Sequence, residues 1–186
     1  DRIYNIPKVK KSLKEGNEDY FSKVNNEHVI YSFNYQDLEH LFTLTDLFSE
    51  KCRIKCKYDF MRFSPYDYFK FNKNKIHKYL IKNKKEITRK NISKAIYNKI
   101  RPCTNFKIVF VLTILNYFKP KAWLDLSAGW GDRLLGAIIY DIDYYCGIDP
   151  SDCMYDVYHK MINKLAPLKK ENYKIIKDGS ESVKLK

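Results

Sequence analysis

Apolar residues recur along this chain with two different periods. From Tyr35 to Cys52, Leu38, Leu41, Phe42, Leu44, Leu47 and Phe48 fall three and four apart behind Asp37, which predicts an amphipathic helix. Between Lys70 and Arg101, Ile76, Tyr79, Leu80, Ile87, Ile92, Ile96 and Ile100 lie at mixed helical spacing around a polar stretch, Asn83 to Thr88. Two helices with a break are expected there. Pro102-Cys103-Thr104-Asn105-Phe106 then opens a helix to about Phe118, closed by Lys119-Pro120, with Thr104 or Asn105 as a natural cap.

Past Pro120 the pattern changes. Trp123 to Leu126 is a short apolar run containing Asp125, and Ser127-Ala128-Gly129-Trp130-Gly131 follows as a Gly-x-Gly turn. Leu134, Leu135, Ala137, Ile138 and Ile139 suit a helix packed on a sheet. Tyr144 to Ile148 reads as a second strand ending in Asp149-Pro150. Ser151 to Leu165 reads as a helix buried through Met154, Val157, Tyr158, Met161 and Leu165 and capped by Ser151 or Asp152. Tyr173 to Lys177 is a third strand, ended by Asp178-Gly179-Ser180. The fold class is therefore α/β, with a basic, mainly helical region over 1–101 and the strand-helix alternation over 102–186. Residues 1–34 say less: Lys8, Lys10, Lys11 and Lys14 mark a mobile arm or peripheral hairpin, and Val29 to Phe33 reads as a strand.

Composition narrows the classes. A chain of 186 residues, 45% hydrophobic, holds one core and a smaller appendage. Mean hydropathy is −0.53, and the longest apolar stretch, Ile108 to Leu115, is broken by Thr113 and too short to cross a bilayer. No secretory leader follows Asp1-Arg2-Ile3-Tyr4, so a cytoplasmic, non-secreted protein is expected. Five cysteines at irregular spacing argue for reduced thiols, and Cys52 and Cys56 lack a second Cys/His pair, so no metal is expected.

Charge adds more. The net charge is +13, yet Trp123 to Tyr158 holds seven Asp against one Arg, −6, which leaves +19 on the remainder. A basic body around an acidic cleft attracts phosphates broadly and holds a cationic ligand locally. The centre of the basic surface is Lys82, Lys84, Lys85, Arg89 and Lys90, in a stretch whose single acid is Glu86. A solvated lysine face, with the Lys and Asn bias of an AT-rich genome, accounts for the same run.

The Gly-x-Gly turn is a weak signal alone. Its glycines permit close backbone approach, the next helix offers unpaired N–H groups, and an acid some twenty residues on, Asp149, suits a ribose diol. Asp125 through Ala137, with Gly147-Ile148-Asp149-Pro150, resembles the first two motifs of class I S-adenosylmethionine-dependent methyltransferases. More narrowly it resembles the nucleic-acid amino-methyltransferase-like proteins of large DNA viruses and phages. The resemblance covers about Pro102 to Ser182. It implies a partial Rossmann-like methyltransferase sheet of about three parallel strands, with S-adenosyl-L-methionine as cofactor and nucleic acid, DNA first, as partner. Location then becomes the host cytoplasm or a viral factory.

By the same resemblance Asp125 and the loop Ser127, Ala128, Gly129, Trp130 and Gly131 meet the methionine moiety, Asp149 with Pro150 the ribose, and Asp178 with Gly179 the adenine. Asn105 and Phe106 fold over the methionine end. Arg133 is read as a structural partner of Asp149 or Asp125. The family's catalytic tetrapeptide belongs to the end of a fourth strand, which the resemblance places beyond Lys186. The Ser64-Pro65-Tyr66 tripeptide has one proline where the catalytic motif has two, and reads better as a turn with exposed aromatics. Three readings follow: a DNA amino-methyltransferase represented by its cofactor half, an RNA or protein methyltransferase, or a non-catalytic nucleic-acid-binding protein with a vestigial pocket.

Overall fold

The computed structural model describes residues 21–23, 31–33 and 39–184. The basic beginning from Lys8 to Lys14, Val29 and Ile30 of the first expected strand, and Asp37 and Leu38 of the first expected helix lie outside the described residues. Two compact units are formed, one from Glu50 to Thr104 and the other from the chain on either side of it, up to Ser49 and from Asn105 onward.

The flanking unit contains a short antiparallel pair, β1 (Phe21–Lys23) and β2 (Tyr31–Phe33), with Phe21 opposite Phe33. Helix α1 (Glu39–Arg53) follows, buried in this unit through Leu41, Leu44, Thr45 and Ser49. Beyond Thr104, α4 (Ile108–Phe118) leads into β3 (Ala122–Asp125), α5 (Asp132–Tyr140), β4 (Tyr144–Ile148), α6 (Asp152–Leu165) and β5 (Tyr173–Ile176). The three strands form one parallel sheet in the order β3-β4-β5, with Asp125 opposite Gly147 and Ile148 opposite Ile176. Parallel strands need a crossover, and the helical periods of α5 and α6 supply it. The fold is thus α/β with the three parallel strands and intervening helices of a partial Rossmann-like sheet.

Packing explains the order of residues in α4 and α5. Val109, Val111, Leu112 and Leu115 are buried on one side of α4, while Phe110, Ile114 and Phe118 are exposed on the other. Gly136 is where α5 meets that buried side: a β-carbon there would stand 2.2 Å from Val111 Cγ1. Both helices end on left-handed residues, Lys119 and Asp141, and Pro120 bars continuation of the first. The helix α4 starts later than expected. Its cap position is Lys107, without a side-chain cap bond, and the Asn105 amide instead donates to Asp46 Oδ1 at 2.9 Å. An apolar core of Leu134, Leu135, Ile138, Ile139, Tyr145, Tyr158 and Met161, all fully enclosed, sits on one face of the sheet. On the opposite face Leu124, Tyr144, Cys146 and Ile176 border an open depression of about 530 Å³.

The unit from Glu50 to Thr104 is helical. Its main elements are α2 (Pro65–Lys82) and α3 (Arg89–Tyr97), flanking a break over 83–88 as the periodicity predicts. Ile76, Leu80, Ala95, Ile96 and Ile100 make its core, covered by Phe63, Phe69 and Ile92. Among the cysteines Cys56, Cys103 and Cys146 are free.

Candidate functional site

The carboxyl ends of β3, β4 and β5 bring three acids to one edge of the sheet. Asp125 is the last residue of β3, Asp149 follows β4, and Asp178 lies two residues beyond β5. The Asp149 amide donates to Ile176 O, continuing the ladder between the second and third tips. Ligands of open parallel sheets gather at such an edge, in the crevice outside the carboxyl ends of the strands.

The loop 126–131 is drawn onto that edge by hydrogen bonds. Gly129 N–H donates to Asp149 Oδ2 at 2.8 Å, Ser151 N–H donates to Asp149 Oδ1 at 3.0 Å, and Ala128 N–H donates to Ile148 O at 2.9 Å. Gly129 and Gly131 have φ of +64° and +94°, a region open mainly to glycine. At Gly131 a β-carbon would also lie 2.9 Å from Met161 Sδ. Tyr158, on α6, donates its hydroxyl to Gly129 O. Burial, with Asp149 beside it, holds that phenol far above its usual range, so it stays a donor.

Asp125 has more partners than a free ligand group would. Arg133 Nε bridges both of its oxygens at 3.1 and 2.9 Å, the Tyr145 hydroxyl donates to Oδ2 at 2.8 Å, and Ser127 N–H donates at 3.3 Å. These contacts occupy the lone pairs of a carboxylate. Arg133 therefore pairs with Asp125, as one of the two expected alternatives had it. The Tyr145 hydroxyl is kept protonated by burial and by the Asp125 charge. The guanidinium also stands beside Gly129, 3.3 Å from where a β-carbon would be, and over the Phe106 ring at 5.4 Å. Phe106, Arg133, Asp125 and Tyr145 are thus linked by successive contacts.

The remaining expected residues are placed as follows. Ala128 is buried, Trp130 half-buried, Ser127 and Pro150 exposed. Asp178 is exposed and accepts from Gly179 N–H at 2.7 Å. Asn105 is held by Asp46. Ser64-Pro65-Tyr66 lies in the helical unit as the start of α2: Ser64 caps it by accepting from Asp67 N–H at 3.1 Å, Pro65 takes the first turn, and Tyr66 is exposed beneath Lys55. Tyr145 and Tyr158 escaped the sequence reading because each sits at an apolar position of its element. A buried phenol needs a hydrogen-bond acceptor, and that need was the available signal.

The helical unit forms the candidate nucleic-acid interface. Residues 50–104 contain seventeen Lys and Arg against four Asp and Glu, +13, while the rest of the chain has eighteen of each. The entire net charge resides in one unit. Lys82, Lys84, Lys85, Arg89 and Lys90 are all exposed around the break between α2 and α3, with Arg89 in an ion pair with Glu50. Lys84 adopts φ of +52° and Lys85 N–H returns to Leu80 O, the bonding pattern of a Schellman cap. Among the described residues no helix is long and apolar enough to cross a membrane, and no group of His, Cys, Asp and Glu is arranged to hold a metal. No protein-family model matches the chain, and no curated protein or solved structure matches it either.

Proposed function

We propose that this chain is the cofactor-binding part of an S-adenosylmethionine-dependent methyltransferase whose acceptor is an exocyclic amine of a nucleic-acid base, DNA in the first instance. The observation that carries the reading is the bond from Gly129 N–H to Asp149 Oδ2, which places a glycine loop and a buried acid at adjacent strand tips. Each Asp149 oxygen accepts one backbone N–H, and a carboxylate oxygen has two lone pairs, so capacity for a ribose diol remains. Asp178, exposed at the third tip, suits the adenine amine.

The fit is weaker at the first tip, and there the reading shifts. Asp125 is neutralised by Arg133, so it serves as a positioning group that holds the loop, while the ammonium of the methionine moiety falls to the loop carbonyls. When bound, the cofactor supplies an electrophilic methyl on a sulfonium. The residues of this chain would hold and orient it, and Ser64, Pro65 and Tyr66 have a sufficient role as a helix cap. An RNA or protein acceptor would use the same edge. The confinement of all net charge to one unit favours a polyanionic partner over a protein. It equally favours the non-catalytic reading, in which Arg133 closes a vestigial pocket.

Calorimetry with S-adenosylmethionine separates these. A saturable heat in the wild type, with affinity at least about tenfold weaker in Asp149→Asn, supports the cofactor reading; one lost hydrogen bond to a charged group costs about 1.5–3 kcal/mol. No heat in the wild type, or undiminished affinity in a folded Asp149→Asn, overturns it.

A further inference from the structure

The cleft between α2 and α3 has chemistry that the basic surface alone does not explain. It encloses about 250 Å³. Its floor is apolar, formed by the buried Ile76 and Ala95, and Tyr68 and Tyr79 wall it. The rim carries Lys75, Lys99 and Asn98. Tyr79 is 46% exposed, so its ring is open to a partner. Lys75 and Lys99 are distinct from the lysines around the break: Lys75 stands on α2, Lys99 lies in the turn just past the end of α3, and both line the same opening.

An apolar slot with aromatic walls, an amide and two cations matches a flat heterocycle attached to phosphates. Its volume falls below the usual range of a small-molecule site, which suits a single base. The face of a base is accessible to a ring only when the base is unstacked, and a duplex keeps that face covered. Other rings in this unit are arranged alike: Tyr58 stacks on Phe60 at 5.4 Å and 11°, Phe60 is 77% exposed, and Arg101 lies over Tyr58 at 5.7 Å. Exposed rings interleaved with cations, on a unit of charge +13, are the combination that binds single strands by stacking and backbone attraction.

We propose that the α2–α3 cleft is a nucleotide subsite for single-stranded nucleic acid, with one base stacked on Tyr79 and the adjoining phosphates on Lys75 and Lys99. It shares with the methyltransferase reading only the class of partner, and it does not depend on the glycine loop.

The test is fluorescence anisotropy of a labelled oligothymidylate with the full chain, alongside calorimetry with S-adenosylmethionine. Tyr79→Ala should weaken strand binding about 5- to 150-fold while Tyr79→Phe keeps it, and neither should alter cofactor heat. Lys75→Ala with Lys99→Ala should lower the salt slope by about 1.4, at about 0.7 per phosphate contact on a single strand. Strand binding unchanged in Tyr79→Ala, or equal competition by a duplex, overturns the proposal. So does equal competition by free thymidine monophosphate, which would assign the cleft to a free nucleotide. Circular dichroism and thermal melting establish that each variant is folded. Retained strand binding without a Tyr79 effect rejects the cleft alone, and absent cofactor heat rejects the methyltransferase reading alone.

Discussion

Gly129 and Asp149, twenty residues apart in the chain, are joined by a hydrogen bond of 2.8 Å from the glycine amide to Oδ2. The second oxygen of the same carboxylate receives Ser151 N–H, so one buried side chain fixes both the glycine loop and the entry to α6. Replacement of Asp149 by Ala should cost about 3–6 kcal/mol, two charge-assisted hydrogen bonds at roughly 1.5–3 kcal/mol each. Urea unfolding with an unchanged m-value checks it. A loss below about 1 kcal/mol would mean that the loop keeps its place without the carboxylate.

Gly136 and Val111 should show strong coupling. A β-carbon at 136 collides with Val111 Cγ1, so Gly136→Ala should destabilise by about 1–3 kcal/mol through overpacking, despite the better helix propensity of Ala. Removing the obstruction in Val111→Ala should recover most of the Gly136→Ala loss. A double-mutant cycle by thermal melting measures this, and additive effects would contradict the close approach of α4 and α5.

Tyr173 gives a pH signature. Burial first, then the charges of Asp141 and Asp143, push its phenol up to about 12 from 10. A raised value means that the neutral form is favoured in the folded state. This contribution is complete below pH 10 and is lost as pH rises through 12. The hydroxyl has no hydrogen-bond partner among the described residues, so Tyr173→Phe should leave stability unchanged or raised by up to about 1 kcal/mol at neutral pH. The advantage of the variant should widen from pH 10 to 12. Denaturation midpoints of both proteins against pH read this directly, and parallel curves across that window would refute it.

Lys84 occupies a left-handed position at the end of α2. Gly there removes the steric penalty of a β-carbon, so Lys84→Gly should stabilise the protein by about 1 kcal/mol while losing one positive charge. Thermal melting is expected to rise as the salt dependence of oligonucleotide binding becomes shallower. A lower melting temperature would show that the Lys84 side chain makes contacts worth more than the strain.

The helical unit shows where local pattern suffices. The break over 83–88 follows from polar residues between two apolar stripes, and Ser64-Pro65 begins α2 because serine accepts a first-turn N–H and proline needs none. Asn105 shows where it does not. Its type and place suit a cap, but the helix starts at Ile108 and the amide goes to Asp46. Nothing near Asn105 in the chain could announce a partner on α1.

The sequence by itself determined the alternation of strands and helices, the glycine turn and the position of the acids that follow each strand, because periodicity, backbone freedom and chain order are local properties. Only the tertiary structure decided that Asp125 is occupied by Arg133 and Tyr145, that Asp149 holds Gly129, and that all of the net charge falls in one unit. Those facts depend on strand register and on which segments fold together, and a hydrogen bond between residues twenty apart has no periodicity to betray it.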